Sequence, residues 1–341
     1  MDMTEVLTGR AGLVGMQWLL LEPPAQEALR SALSTLLEED ATIREIVLQR
    51  AKYKPGRHLT TYYAVQIHTG DGGRDNTRLI EVSWMPLGSA DRRGEMAELL
   101  EMQVEAVERG LVAPFRALLA EASAWGMRVQ IFPLDARFPK LVRLADPAYV
   151  CDLLTGEDSA RTNAFGYRIM PIRYRPGKRH VLRYEPIDAA GQVDESGTLF
   201  AKIYNSDKGA RTFQVAARVS DWLTEQNNGI NAVRPLAYIA GEGLVLYPRV
   251  TGTPLSELLR DQGQATAGYL RAAGAAIRAL HQTPETLVEL QPHSFANELK
   301  GIVSASEYIH FLLPETGARI AMLIERARAL HERLPQESPA F

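Results

Sequence analysis

A chain of 341 residues is long for one domain and points to two compact units. With 46% hydrophobic and 23% charged residues it has enough apolar material for ordinary cores, which excludes a disordered chain. A net charge of -3 argues against nucleic acid or a membrane surface as a general partner, and leaves room only for a local basic patch.

Cys151 is the only cysteine, so neither an intramolecular disulfide nor a cysteine zinc cluster can form, and a reducing, cytoplasmic setting is expected. The apolar stretch from Leu13 to Leu21 is about half a bilayer span and stops at Glu22-Pro23-Pro24. Asp2 and Glu5 stand where a signal peptide needs positive charge, so no secretory leader is expected.

The prolines at 23 and 24, followed by Ala-, Leu- and Glu-rich sequence to Glu39, predict a helix with proline in its first turn. Three runs rich in Val, Ile, Thr and Tyr follow, at 43–52, 59–67 and 77–84. The punctuation Lys54-Pro55-Gly56 and Gly70-Asp71-Gly72-Gly73 separates them and predicts a three-stranded meander; the second group is a hairpin turn, not a dinucleotide loop. Helical spacing recurs at 93–109 and 114–125, and one more short strand is expected at 128–132.

The polar segment 155–163 predicts a linker, beyond which strands resume at Tyr167. Arg173-Tyr174-Arg175-Pro176-Gly177-Lys178 echoes Lys52-Tyr53-Lys54-Pro55-Gly56-Arg57, with Tyr53 and Tyr174 121 positions apart. At that offset Tyr63 meets Tyr184 and Glu81 meets Lys202, which predicts a tandem duplication of one α/β unit whose first copy carries glutamate in place of the lysine. A helix is expected at 208–226 and strands at 233–239 and 244–247, with helices from there on, most clearly at 270–281 and 320–334.

Five strands, an inserted helix, a connector and a helical region form the order of a protein-kinase-like fold. Arg175-Pro176-Gly177-Lys178-Arg179, Leu199-Phe200-Ala201-Lys202-Ile203-Tyr204, Leu246-Tyr247-Pro248-Arg249-Val250 and Gly252-Thr253-Pro254-Leu255 resemble the aminoglycoside phosphotransferase and choline kinase-like family of small-molecule kinases. The resemblance runs from about 167 to 334, and Gly274 to His281 looks like that family's helix before the catalytic loop. It implies an α+β fold: an N-terminal domain at 1–154 like a degenerate kinase N-lobe, a nucleotide-binding N-lobe (antiparallel sheet plus helix) at 167–250, and an incomplete helical C-lobe at 251–341.

A lysine within an apolar strand needs an anion beside it, and the resemblance makes Lys202 the residue that meets a phosphate of ATP. Its carboxylate partner should sit on the following helix, where Asp221 is preferred over Glu225, although the family's usual spacing also admits Arg218, whose charge is wrong. Gly177, Lys178 and Arg179 offer a flexible amide and two cations to phosphate oxygens, and Tyr247, Pro248 and Val250 would meet the purine. The bland alternative for the hairpin is a solvated basic turn.

The complete family enzyme is expected to use ATP with Mg2+, and its His-x-Asp loop orients the acceptor hydroxyl. No histidine here is followed two positions later by aspartate, and Asp261 is the last aspartate, so no catalytic or metal-binding residue is assigned. The expectation is a fragment of a phosphotransferase acting on an aminoglycoside, sugar or choline-like hydroxyl. The alternative is a pseudokinase-like nucleotide-binding or protein-interaction module without catalysis.

Overall fold

The computed structural model describes residues 2–54, 56, 58–70, 76–85, 92–157, 164–227, 229–260, 265–284, 287 and 294–334. Asp71, Gly72 and Gly73 of the expected turn, 158–163 of the expected linker, Asp261 and His293 lie outside the described residues. Contacts divide the chain into one unit of Met1–Tyr149, Arg173–Arg179 and Ser294–Pro335, and a second that includes Val150–Ile172 and His180–His293.

The first unit opens with α1 (Met3–Thr8), α2 (Gly12–Leu21) and α3 (Pro23–Ser34). The apolar stretch that is too short to span a bilayer is α2, which buries Met16 and Leu19. α3 has proline in its first turn and buries Ala25, Leu29 and Leu33 at four-residue spacing, one stripe of a helix. The sheet then forms from β1 (Ala41–Lys54), β2 (His58–Thr69) and β3 (Asn76–Trp84), followed by α4 (Arg92–Glu108), β4 (Leu119–Ala122) and β5 (Met127–Ile131). Its order is β1-β2-β3-β5-β4, antiparallel throughout. Alternation turns Leu59, Thr61, Tyr63, Val65 and Ile67 of β2 inward with Ile80, Val82 and Trp84 of β3, all essentially inaccessible.

The helix expected at 114–125 is not there. Leu119–Ala122 pairs with β5, Ala122 opposite Met127, and the tight turn between them is closed by Gly126 at φ 55°. A ladder partner outweighs weak helical spacing, and Trp125 in that turn stacks on Trp18 with ring centroids 5.8 Å apart.

After α5 (Leu141–Leu144) and α6 (Pro147–Glu157), the second sheet contains β6 (Gly166–Arg175), β7 (Arg179–Ile187) and β8 (Leu199–Ile203). Then come α7 (Lys208–Glu225), β9 (Ala237–Ile239) and β10 (Leu244–Pro248). The strand expected at 233–239 is shorter than its apolar run, beginning only at Ala237. The remaining elements are α8 (Leu255–Leu258), α9 (Thr266–His281), α10 (Phe295–Leu312) and α11 (Pro314–His331), of which α10 and α11 pack on each other.

The second sheet has the order β6-β7-β8-β10-β9, the same as the first, with a helix between its third and fourth strands in both. The chain is therefore α+β with the same five-strand architecture twice, compatible with a kinase-like N-lobe followed by a helical region. The in-register equivalence of Glu81 and Lys202, however, does not hold. Lys202 is opposite Val181 and Val245, whereas Glu81 is opposite Tyr62 and Gln130. The hairpins match at an offset of 121, Leu59 with His180, but the rung they share with the third strand ends in Trp84 and Ile203, only 119 apart. The residue at the place of Lys202 is Ser83, opposite Thr60 and Arg128, and Glu81 stands at the place of Phe200. The same register is fixed from the other side. Met85 N–H donates to the Gly126 carbonyl and Tyr204 N–H to the Gly243 carbonyl, both at 2.9 Å.

Candidate functional site

Lys202 lies mid-strand in β8, where buried Leu199, Ala201 and Ile203 alternate with half-buried Phe200 and Lys202. The rungs place Val181, Val245 and Tyr247 on the face of Phe200 and Lys202. α7 packs on β9 and β10, and a methyl group added at Gly209 in its first turn would come within 2.8 Å of the Tyr238 ring, which shares a rung with Val245. The helix therefore covers the face that carries the lysine. The ammonium lies 5.0 Å from the centre of the Tyr204 ring, in cation–π range.

α7 does not supply the expected carboxylate. Asp221 is exposed and bound by Arg234, with Nε 2.7 Å and Nη2 3.3 Å from its two oxygens, and this hydrogen bonding lowers its pKa. Glu225 is also exposed, while the buried stripe of the helix is Gly209, Ser220 and Leu223. Among the described residues Lys202 makes no ion pair.

The second hairpin is occupied by contacts internal to the first unit. Tyr174 is buried, its hydroxyl donating to the Leu134 carbonyl at 2.6 Å and accepting from Gln130 Nε2 at 3.2 Å. Gly177 N–H donates to Asp135 Oδ2 at 2.7 Å, so a carboxylate already holds the amide that the sequence motif offers to phosphate. Lys178 and Arg179 are exposed beside it. The first hairpin does the same: Tyr53 hydroxyl meets the Val6 and Leu7 carbonyls at 3.1 and 3.2 Å, and Gly56 N–H donates to Leu7 at 2.9 Å. The repeated tyrosine and glycine thus form a two-donor docking tip. Asp135, its acceptor in the second copy, sits in a loop without local pattern, and neither it nor Arg234 has a signature in the sequence.

Tyr247 and Pro248 are half-buried at the end of β10, and Val250 beyond them is 62% exposed. A cavity of about 570 Å3 in the second unit is lined by Tyr167, Asp188, Asp194, Leu199, Pro248 and Arg249, among others. Of the residues expected in the site, only Pro248 lines it. Leu199 and Pro248 share a rung three positions, roughly 10 Å, from Lys202, and alternation puts them on the opposite face. The cavity and the lysine are therefore separate features of this sheet. Among the described residues no three His, Cys, Asp or Glu side chains gather to hold a metal, and no helix is long and apolar enough to cross a membrane.

The sheet order, the inserted helix on the lysine face and the connector after the fifth strand are compatible with a kinase-like N-lobe. The family model of the phosphotransferase enzyme family (APH) matches residues 191–341, from the loop before β8 through the helical region. This supports a phosphotransferase-like function for that segment and agrees with the resemblance seen in its motifs. The match begins beyond the β6–β7 hairpin. No curated protein and no solved structure matches the chain.

Proposed function

We propose that the second unit binds an adenine nucleotide, with Lys202 meeting its phosphates and the connector from Tyr247 to Val250 meeting its base. It does so as part of a phosphotransferase acting on a small-molecule hydroxyl of the aminoglycoside, sugar or choline kind. The observation that carries this is Lys202 itself, a half-buried cation mid-strand, under a helix, with no ion-pair partner among the described residues. A half-buried ammonium so placed is stabilised by an anion beside it. The partner in this reading is a small molecule and not nucleic acid or a membrane, and the place of action is the cytoplasm. Phosphotransferases of this kind use ATP with Mg2+, which neutralises phosphate charge; the described carboxylates do not form a magnesium site, so no step is assigned to the metal here.

Calorimetric titration with MgATP tests the reading on the intact chain and on Lys202→Ala. The expected result is saturable binding that weakens by about tenfold or more in the variant, as for loss of one charge-assisted contact. Undiminished affinity in Lys202→Ala would remove the proposal.

A non-catalytic nucleotide-binding or interaction module is the second reading, and the Asp221–Arg234 pair favours it. That pair occupies the carboxylate expected to hold the lysine in a catalytically competent lobe. Acceptor-dependent release of ADP by this chain would exclude the second reading.

A further inference from the structure

The two hairpin tips of the first unit gather cations that its own carboxylates do not neutralise. β1 presents Arg50, Lys52 and Lys54 at alternate positions on one face of the first sheet. On that face Arg50 is opposite Tyr62, and the same rung continues through Glu81 to Gln130. Tyr174 hydrogen-bonds Gln130, and its hairpin tip carries Arg173, Arg175, Lys178 and Arg179.

The two sets of cations lie within each other's field. Burial lowers the pKa of Lys52, and Lys178, Lys54 and Arg50 lower it further. Burial and the charges of Arg50, Arg173 and Arg179 act likewise on Arg175. Among the described residues none of these seven side chains makes an ion pair. Two neighbouring carboxylates serve other donors. Asp135 accepts from Gly177 and Arg137 N–H groups, and Glu81 from the Ser83 and Tyr62 hydroxyls. Like charges held this densely by two docked tips destabilise the fold unless an anion joins them.

We propose that this face of the first unit is a binding site for a compact anion carrying several phosphate groups, held by Arg50, Lys52, Arg175 and Lys178. The compactness follows from charge. The chain as a whole is at -3, which disfavours a long polyanion, while seven local cations suit a ligand of several charges within one small patch. The inference does not depend on the nucleotide reading, because its residues belong to the other unit.

The experiment is a calorimetric titration of the full chain with inorganic tripolyphosphate at moderate salt. Two double variants, Lys52→Gln with Lys178→Gln and Arg50→Gln with Arg175→Gln, are compared with Lys202→Ala. Removing like charges relieves repulsion, so both doubles should fold, and circular dichroism checks this. Tripolyphosphate affinity should fall about tenfold or more in each double, and Lys202→Ala should retain the tripolyphosphate binding that the doubles weaken. Absence of binding to the unaltered chain, or affinity undiminished in both doubles, would overturn the site. So would loss in Lys202→Ala alone, which would move the anion to the second unit. Tighter binding of a single-stranded RNA of about 20 nucleotides, sensitive to the same doubles, would assign the face to nucleic acid and overturn the compact ligand.

Discussion

Glu81 shares its rung with Tyr62 and Gln130 and is 8% exposed. Burial, reinforced by the neighbouring Asp135 charge, pushes its pKa up to about 8 from 4.5. An acid whose folded pKa is raised stabilises the fold fully below its unfolded pKa and loses that contribution as pH rises to the folded value. The window is therefore pH 4.5 to about 8. Glu81→Gln, which keeps the shape of the neutral acid, should match the unaltered chain near the lower end. Above the upper end it should be more stable by several kcal/mol, since each tenfold weakening of the acid corresponds to roughly 1.4 kcal/mol. Urea midpoints at both ends of the window measure this; a difference that does not grow with pH would mean that Glu81 ionises like an exposed carboxyl. At the same scale, Asp221→Asn should leave MgATP affinity unchanged, because its carboxylate is bound to exposed Arg234 and not to Lys202. A loss as large as that of Lys202→Ala would restore the ion pair that the static geometry does not show.

Among the elements, the hairpins were the most legible part of the sequence, because Pro-Gly punctuation between Val-, Ile- and Tyr-rich runs has one local solution. β4 was not legible. Its Leu-Ala-Glu-Ala sequence favours helix, and only the β5 partner makes it a strand. That misreading hid the full agreement of the two sheets, and the two-residue slip between Ser83 and Glu81 was equally invisible, since alternation is the same at both. Lys202 could be singled out as a charge in an apolar strand, but the purpose of the Tyr-x-Pro-Gly echo could not. Its acceptors, Leu7 in one copy and Asp135 in the other, are distant in sequence and unlike in chemistry.

The turn into β10 shows how strictly the shared architecture constrains one position. Gly243 has φ 63°, and a Cβ there would run into the Tyr204 carbonyl. Gly243→Ala adds a left-handed backbone penalty of about 1–2 kcal/mol to that clash and disturbs the Tyr204 N–H bond to residue 243. The variant should lose at least about 2 kcal/mol in chemical denaturation, within the range for strained backbone positions. Tolerance of alanine would show that β8 and β10 can shift apart at this end. Tyr174→Phe removes a buried donor from Leu134 and should cost about 1–3 kcal/mol.

For the molecule as a whole, binding and turnover are expected to separate. A ligand that binds only the folded chain stabilises it by about 2.7 kcal/mol at a hundred times its dissociation constant. MgATP should therefore raise the unfolding temperature by a few degrees, with the shift cut to about half or less in Lys202→Ala. Phosphoryl transfer asks for more, because its rate comes from placing the acceptor and stabilising charge on the phosphates. Residues 1–341 contain no His-x-Asp, and the described part gathers no carboxylates around a metal position. The carboxylate nearest in role, Asp221, is bound to an arginine on the exposed side of α7. Incubation with MgATP and a panel of aminoglycoside, sugar and choline-like alcohols should then release no acceptor-dependent ADP from these 341 residues, although the thermal shift is present. Acceptor-dependent turnover that vanishes in Lys202→Ala would show that other residues of the chain supply the acceptor base and the charge stabilisation. A thermal shift undiminished in Lys202→Ala would place the nucleotide elsewhere, with the cavity lined by Tyr167, Pro248 and Arg249 the first place to probe.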